Sequence, residues 1–316
     1  MTPYAFVVGA DYKYLPELCA LLNSLDYVGN SQDVHVFGIN LPIDFVDQFK
    51  KLDYEVFFHN VSEEEIQEAR GISEITCRKR YYYAGLLGEF GGFDSYMDPY
   101  KSVCILDADL IFCRNPIQFF TIAEKTGFIL GPTKEQNKCY DDPHHEVNGK
   151  WIIEKGFWND KDLCNCPVFL DPRVWGEALK RSWDIFFSMG YKAPDMDAMN
   201  MCFIEAGGHD KIIKLPGLQW LGTNEQHLKP YTRVTLQRDG NLWTENGLEI
   251  FCFHGQYYHD KWRECQLGNR HGCARGYLGA TEKPDSMAAG AMKLLYDRFT
   301  QMLDHKIQIE KIDYRH

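Results

Sequence analysis

The sequence predicts an α/β fold in which helices flank a mostly parallel central sheet. Short apolar stretches typical of buried strands alternate with stretches of helical periodicity, and this alternation implies parallel pairing with helices on both faces. The 316 residues are 45% hydrophobic and 25% charged, so the chain can bury a core and is not globally disordered. Ligands of such sheets bind beyond the carboxyl ends of the strands, so functional residues are expected just after strand ends.

Strands and helices alternate regularly in the first part of the chain. The strands, which are short and apolar, are predicted at Tyr4–Gly9, Asp33–Gly38, Glu55–Phe58 and Ser102–Leu106. The helices, whose apolar residues recur at helical spacing, are predicted at Leu15–Leu25, Phe45–Leu52 and Arg78–Phe90. Such alternating units are the basis of a parallel sheet.

The later part of the chain opens with a polar stretch, Gly131–Lys161, which we interpret as a long surface loop. Beyond it, further strands are predicted at Val168–Leu170, Ile212–Leu215, Thr232–Leu236 and Leu248–Phe253. Helices are predicted at Val174–Met189 and Met196–Ala206, and an amphipathic helix at Ser286–Leu303. No linker or repeat divides the chain, so we expect one domain over residues 1–283 and a C-terminal helical extension over 284–316.

Charge and cysteine content limit the function classes. The 34 basic residues face 45 acidic ones, and the net charge of -11 argues against a broad non-specific grip on nucleic acid. No apolar run approaches the ~20 residues that a membrane-spanning helix needs. Eleven cysteines without a Cys-x-x-Cys pair, in a sequence that starts without a secretory leader, predict reduced thiols and a cytoplasmic location.

The strongest local signal is a strand-like run, Val103–Leu106, that leads directly into Asp107-Ala108-Asp109. If the backbone stays extended, residues two apart project to one face, and both carboxylates then share one space at the sheet edge. Like charges held so close raise one pKa unless a cation neutralises both, and such oxygen ligands suit Mg²⁺ or Mn²⁺. The alternative is that both acids occupy a turn and cap the helix after Asn115-Pro116.

A distant segment follows the same plan, with the apolar run Phe251–Phe253 leading into His254-Gly255. An imidazole ligand from His254 to the same ion would favour Mn²⁺ over Mg²⁺. Gly255 permits close approach of the backbone to a ligand, and Lys261 offers a point charge for phosphate. The alternative for His254 is a hydrogen-bonded structural histidine.

Together these motifs resemble the metal-dependent glycosyltransferases of the GT-A (Rossmann-like) fold. The similarity is closest to glycosyltransferase family 8, which includes glycogenin and bacterial lipopolysaccharide galactosyl- and glucosyltransferases, and it covers about residues 4–262. The resemblance implies that Asp107, Asp109 and His254 hold Mn²⁺, or Mg²⁺ in its place, on a UDP-sugar. Ala108, Gly255 and Lys261 belong to the same donor-binding motifs, although the family's Lys-Pro-Trp is here Lys261-Trp262.

Two further segments match the family's nucleotide-binding positions. The turn from Asp11 to Tyr14 resembles its uridine-binding turn, in which a carboxylate accepts the uracil N–H and a tyrosine ring stacks. The other reading of Asp11 is a helix cap, and both roles can coexist. Arg78 and Arg80 stand on the predicted helix from which the family directs a basic residue toward the nucleotide sugar.

Sugar-binding positions are matched less completely. Asn165 corresponds to the residue that contacts the donor sugar, but Cys166-Pro167 replaces the family's small residue and glycine. Asp195 and Asp197 fit the family's Asp-Gln-Asp segment, with Asp195 near the sugar hydroxyls, whereas Met196 replaces the glutamine.

The resemblance implies a retaining hexosyltransferase that uses a UDP-sugar. It divides the domain into a nucleotide-binding half, residues 1–110, and an acceptor half, residues 111–283. A glycan is the favoured acceptor, with a modified phage-type DNA base, a protein or a lipid as alternatives. Two other functions fit the same motifs: a non-catalytic module that binds nucleotide sugars or glycans, and a metal-dependent nucleotidyltransferase or phosphohydrolase.

Overall fold

The structure is a computed structural model that describes residues 1–61, 97–132, 166–188, 195–215, 219–221, 236–239, 242–245, 248–254 and 306–309. Its central sheet contains seven strands in the order β3-β2-β1-β4-β7-β6-β8. These strands are β1 (Tyr4–Asp11), β2 (Asp33–Ile39), β3 (Val56–Asn60), β4 (Ser102–Leu106), β6 (Ile129–Pro132), β7 (Val168–Leu170) and β8 (Ile212–Leu215).

The central sheet is mostly parallel, as predicted. Strand β1 pairs in parallel with β2 and with β4, β2 pairs in parallel with β3, and β6 with β8. Only β7 among these strands runs antiparallel to its neighbours, β4 and β6. The chain builds outward from β1 to β3 and then returns to place β4 on the other side of β1. The order of strands therefore reverses between β1 and β4, which is where ligands bind in sheets of this type.

The described helices are α1 (Leu15–Tyr27), α2 (Ile43–Val46), α3 (Ile117–Thr126), α4 (Pro172–Ser188) and α5 (Asp195–Glu205). Short 3₁₀ turns lie at Tyr12–Tyr14, Phe49–Lys51 and His209–Lys211. Aromatic contacts join the central sheet to α3. The ring of Phe120 packs edge-to-face against Phe6 of β1 and against Phe169 of β7. All three side chains are inaccessible to solvent, and burial of this kind is the main stabilising contribution.

In the part of the chain that the structure describes, two small sheets accompany the central one. The first has the order β5-β13-β9, with β5 (Leu110–Phe112), β13 (Cys252–His254) and β9 (Gln219–Leu221). The second is an antiparallel meander of β10 (Leu236–Asp239), β11 (Leu242–Glu245) and β12 (Leu248–Glu249).

Residues Lys306–Ile309, here called the C-terminal clasp, pack against α1. Both main-chain groups of Ile307 pair with the Asn23 side chain, the carbonyl accepting from Nδ2 at 2.9 Å and the amide donating to Oδ1 at 3.2 Å. Gln48 binds both main-chain groups of Gln308 in the same way. Lys306 forms ion pairs with Asp26 of α1 and with Asp53, which follows the 3₁₀ turn Phe49–Lys51.

Most of the predicted elements in the described residues are confirmed within a few positions, and β4, β7 and β8 match at both ends. The single helix predicted at Phe45–Leu52 is instead α2 followed by a 3₁₀ turn. The strand predicted at Leu248–Phe253 is split at Ile250-Phe251, because the Phe251 carbonyl accepts hydrogen bonds from the amides of Cys113 and Arg114.

Several predictions lie outside the described residues, wholly or in large part: the helices at Arg78–Phe90 and Ser286–Leu303, the loop at Gly131–Lys161 and most of the strand at Thr232–Leu236. Among the helices that the structure does describe, none combines the length and apolar character that a bilayer crossing requires.

Candidate functional site

Strand β1 ends at Asp11, on the carboxyl edge of the sheet beside β4. The Asp11 side chain is fully buried, and its Oδ1 accepts a hydrogen bond from the Tyr14 amide at 3.3 Å. This contact closes the 3₁₀ turn Tyr12–Tyr14, so Asp11 is a capping residue, as one reading of the sequence predicts. The half-buried Tyr14 is thereby fixed at the point where the order of strands reverses.

Strand β4 ends at Leu106, and the two acids that follow lie in a turn. The Leu110 amide donates to the Asp107 carbonyl at 3.4 Å, which makes residues 107–110 a β-turn with Ala108 and Asp109 at its centre. The prediction of continued extended backbone is therefore wrong, and the turn that was the alternative is what forms. Both acids remain half-buried while Ala108 is buried, so the carboxylates stay at the edge of the sheet.

The same acids do not cap the next helix. Helix α3 begins after Pro116, and the Asn115 Oδ1 accepts from the Ile117 amide at 3.0 Å. That part of the alternative reading is therefore wrong, and Asn115 takes the local role at the start of the helix.

Strand β5 follows the turn at once and pairs antiparallel with β13. In this register His254 lies opposite Leu110, the residue next to Asp109. Opposed residues of an antiparallel pair have Cα atoms about 4.5–5.5 Å apart. The fold thus brings the backbone of His254 beside the turn that carries both acids; the direction of its side chain lies outside what the structure describes.

Further contacts lock β5 and the residues after it onto β13. The Cys113 amide donates to the Phe251 carbonyl at 2.9 Å, and the Cys113 thiol lies 3.0 Å from the Ile250 carbonyl. Arg114 forms an ion pair with Glu249 and places its guanidinium 5.1 Å from the centre of the Phe251 ring. These contacts hold the two strands in register at the end away from the acids.

Three thiols, those of Cys104, Cys113 and Cys252, lie on or next to the strands β4, β5 and β13. Burial raises the pKa of the Cys113 thiol to about 12, and it also raises the pKa of Cys104 on β4 and Cys252 on β13. Without a metal they are protonated near neutral pH and serve as small apolar packing groups. The three thiols therefore add no negative charge to the site, whose charged groups include the carboxylates of Asp107 and Asp109.

Helix α5 carries two of the sugar-binding candidates in its first turn. Asp195 is its first residue and Asp197 its third, and the helix packs against α4. Its buried residues Met199 and Asn200 fix the helix in the core, while the structure describes only the backbone of the two acids. The remaining predicted site residues, Asn165, Arg78, Arg80, Gly255 and Lys261, lie outside the described residues.

Within the described side chains no group of three or more histidine, cysteine, aspartate or glutamate residues is arranged around a common ion position. The described part of the site nevertheless fits a hard divalent cation, because two half-exposed carboxylates adjoin a strand that ends in histidine. Asp107, Asp109 and His254 are the residues that would hold it.

The sequence matches no protein-family model, and no curated protein is similar to it in sequence. Comparison of three-dimensional structures does find relatives. The galactosyltransferase LgtC, in complex with donor and acceptor sugar analogues, is similar with a TM-score of 0.57 and 14% identity, over 95% of this chain and 97% of that one. An active-site mutant of LgtC gives a TM-score of 0.54 at 14% identity over the same shares of both chains. The chain therefore has the GT-A fold and resembles glycosyltransferase family 8 in its architecture.

Proposed function

We propose that this protein is a metal-dependent glycosyltransferase that moves a hexose from a UDP-sugar to an acceptor hydroxyl with retention of configuration. One observation carries the proposal: β13 pairs with β5 so that His254 adjoins the Asp107–Leu110 turn. The pairing lies where the strand order reverses between β1 and β4, the position at which such sheets bind ligands. The match of the whole chain to a galactosyltransferase fold supports the same reaction class.

Charge explains why the site needs a cation. A sugar diphosphate brings two negative charges to a protein whose net charge is already -11 and whose site adds two carboxylates. A bound Mn²⁺, or Mg²⁺, would offset these charges and stabilise the diphosphate as it leaves. Asp107 and Asp109 supply oxygen donors, and His254 supplies a nitrogen donor that favours Mn²⁺. Ala108 and Gly255 let the backbone approach the donor closely.

The uridine is assigned to the turn after β1. The Asp11 carboxylate keeps the turn in shape through the Tyr14 amide, and the half-buried Tyr14 ring offers a stacking surface for the base. Arg78, Arg80 and Lys261 are assigned to the diphosphate, where cations stabilise the charge that develops as the bond to the sugar breaks. These assignments follow the family resemblance.

The sugar is assigned to Asp195, Asp197 and Asn165. The thioether of Met196 can neither attack the anomeric carbon nor accept a proton, so that residue is given no chemical role. In the proposed step the acceptor oxygen bonds to the anomeric carbon on the face from which the diphosphate departs. The acceptor proton passes to the departing phosphate oxygen, and UDP and the glycoside are the products.

A glycan is the proposed acceptor. The similar galactosyltransferase was crystallised with both donor and acceptor sugar analogues, which places sugar-to-sugar transfer within the reach of this fold. The excess of acidic residues makes a polyanionic acceptor such as DNA less suited to the surface as a whole.

The test is product analysis with a panel of UDP-sugars, Mn²⁺ and a set of simple glycosides. We expect release of UDP with one donor and a mass increase of one hexose on an acceptor. Release of pyrophosphate or of a nucleoside monophosphate would instead indicate a nucleotidyltransferase or phosphohydrolase. Donor binding without turnover for any acceptor would indicate a binding module, and either result would overturn the proposal.

A further inference from the structure

A buried serine on α1 holds the free edge of β5. The Ser24 side chain is fully buried, and its Oγ accepts a hydrogen bond from the Phe112 amide at 3.0 Å. The same hydroxyl donates to the Leu21 carbonyl at 2.7 Å. Because the proton is directed at Leu21, a lone pair of the oxygen is left to receive the Phe112 N–H.

The contact between Ser24 and Phe112 restrains an edge strand of the small sheet. Strand β5 is at the edge of the sheet β5-β13-β9, so one side of its main chain faces β13 and no strand of the described residues pairs with the other side. Ser24 occupies this second side at Phe112, two residues after Leu110. The pairing with β13 sets the register of β5, and a hydrogen bond on its second side limits how far the strand can move relative to α1.

The turn that carries the acids connects two strands of different sheets. It follows the end of β4 in the central sheet and leads into β5 of the small sheet. The central sheet is fixed by parallel pairing of β4 with β1, whereas β5 is fixed by β13 and by Ser24. A displacement of β5 relative to α1 therefore moves Asp109 relative to Asp107.

We propose that Ser24 is a positioning residue for the metal site: by anchoring the Phe112 amide to α1, it sets the geometry of the Asp107–Leu110 turn against β13. This inference rests on the proposed function, since it assumes that Asp107, Asp109 and His254 bind a cation. Ser24 lies in the helix interior and acts through the main chain of β5.

The experiment compares Ser24→Ala with a matched control, Ser182→Ala. Ser182 is also fully buried, but its hydroxyl donates to the Ala178 carbonyl at 2.8 Å, within α4. Both substitutions remove one buried hydroxyl from a helix. We measure Mn²⁺ affinity in the presence of UDP by electron paramagnetic resonance, and metal-free hydrogen exchange at the Phe112 amide by NMR.

For Ser24→Ala we expect Mn²⁺ binding to weaken about 10-fold, the size typical for loss of a residue that orients metal ligands, and the Phe112 amide to exchange faster. For Ser182→Ala we expect both quantities to stay at the wild-type value. Ser24→Cys keeps an acceptor at the same place, so its Mn²⁺ affinity is expected to lie between those of wild type and Ser24→Ala. If Ser24→Ala does not fold, the comparison of Ser24→Cys with Ser182→Ala carries the test.

The outcomes separate this inference from the proposed function. A wild-type protein that binds no Mn²⁺ with UDP contradicts the proposed function itself. Normal wild-type binding that both serine variants retain overturns the positioning role alone. Equal weakening in the two variants also overturns it, because the effect would then follow from lost stability.

Discussion

His254 lies directly opposite Leu110 in the antiparallel pair of β13 and β5, one residue beyond Asp109. Residues from two distant parts of the chain thus meet at the edge of the central sheet, beside the end of β4. The pairing is set by main-chain hydrogen bonds, so it persists when a side chain at the edge is replaced. Substitutions of the candidate ligands are therefore expected to change metal binding while the fold is retained.

Asp109→Asn removes one negative charge from the turn at almost constant volume. We expect Mn²⁺ affinity to fall about 100-fold or more, since even residues that only orient a metal ligand contribute 10–100-fold. Isothermal titration with Mn²⁺ and UDP measures the effect. Asp98→Asn is the control, because Asp98 is exposed in the turn that precedes the opposite end of β4. Equal affinity in the two variants would remove Asp109 from the site.

His254→Ala tests the identity of the ion. An imidazole nitrogen contributes more to Mn²⁺ binding than to Mg²⁺ binding, because Mg²⁺ prefers oxygen ligands. We expect the ratio of Mn²⁺-supported to Mg²⁺-supported turnover to fall about 10-fold. A variant in which both rates fall by the same factor would contradict a ligand role and indicate that His254 is structural.

A chain of hydrogen bonds lies at the amino end of the sheet, away from the candidate site. The Tyr100 hydroxyl donates to Asp33 Oδ2 at 2.9 Å, so it accepts from His35 Nε2, which lies 2.8 Å away. The other ring nitrogen, His35 Nδ1, lies 2.8 Å from His59 Nε2, and in the neutral ring it accepts that bond. A neutral His35 therefore satisfies the hydrogen bonds to both Tyr100 and His59.

The same network predicts loss of stability in acid. Burial, together with the neighbouring His59, lowers the pKa of His35 from its ordinary value of 6.5 to about 4. The unfolded chain therefore binds a proton that the folded chain does not between these values. The contribution of His35 to the free energy of unfolding is fully present above pH 6.5. It falls by about 3 kcal/mol as the pH drops to 4.

Urea unfolding at several pH values measures this slope. In His35→Gln we expect a shallower decline between pH 6.5 and pH 4 than in wild type. His209→Gln, which alters a histidine outside the network, is expected to keep the wild-type slope. An NMR titration of His35 that gives an ordinary histidine pKa would contradict the prediction directly.

The C-terminal clasp is expected to stabilise the first half of the chain. Ile307 is 1% exposed, so Ile307→Ala leaves a cavity beside α1 and is expected to cost about 2–5 kcal/mol in the free energy of unfolding. Ile43→Ala makes the same chemical change at a side chain that is 69% exposed, where almost no loss is expected. Denaturant unfolding compares the two, and equal stability would mean that the clasp contributes little.

The sequence predicts the parts of the fold whose signal is local. Strand β4 is a continuous apolar run bounded by polar residues, and both of its ends are found where periodicity places them. Strand β5 escapes prediction because three apolar residues, Leu110–Phe112, are too few to show a period. For the same reason the turn before it is predicted only as an alternative, since without β5 nothing requires the chain to reverse after Asp107.

Contacts between residues that are distant in sequence are a second feature that the sequence does not predict. The shared plan of an apolar run followed by a polar residue, together with the family resemblance, suggests that His254 and the acids belong to one site. The register with Leu110, however, depends on a pairing that no local pattern encodes. Ser24 reads as an ordinary helix residue, because its partner at Phe112 is distant in sequence. A polar residue in the middle of the apolar α1 was the available signal, and Asn23 beside it gives the same one.

The clasp also has a consequence for how the molecule is made. Asn23 is 1% exposed, and its side chain holds both main-chain groups of Ile307. On the ribosome, these contacts to Asn23 of α1 wait until residues 24–307 have been translated. Helix α1 therefore reaches its final packing only after the clasp has been synthesised, and a nascent chain arrested earlier lacks the contact that joins α1 to residues 306–309.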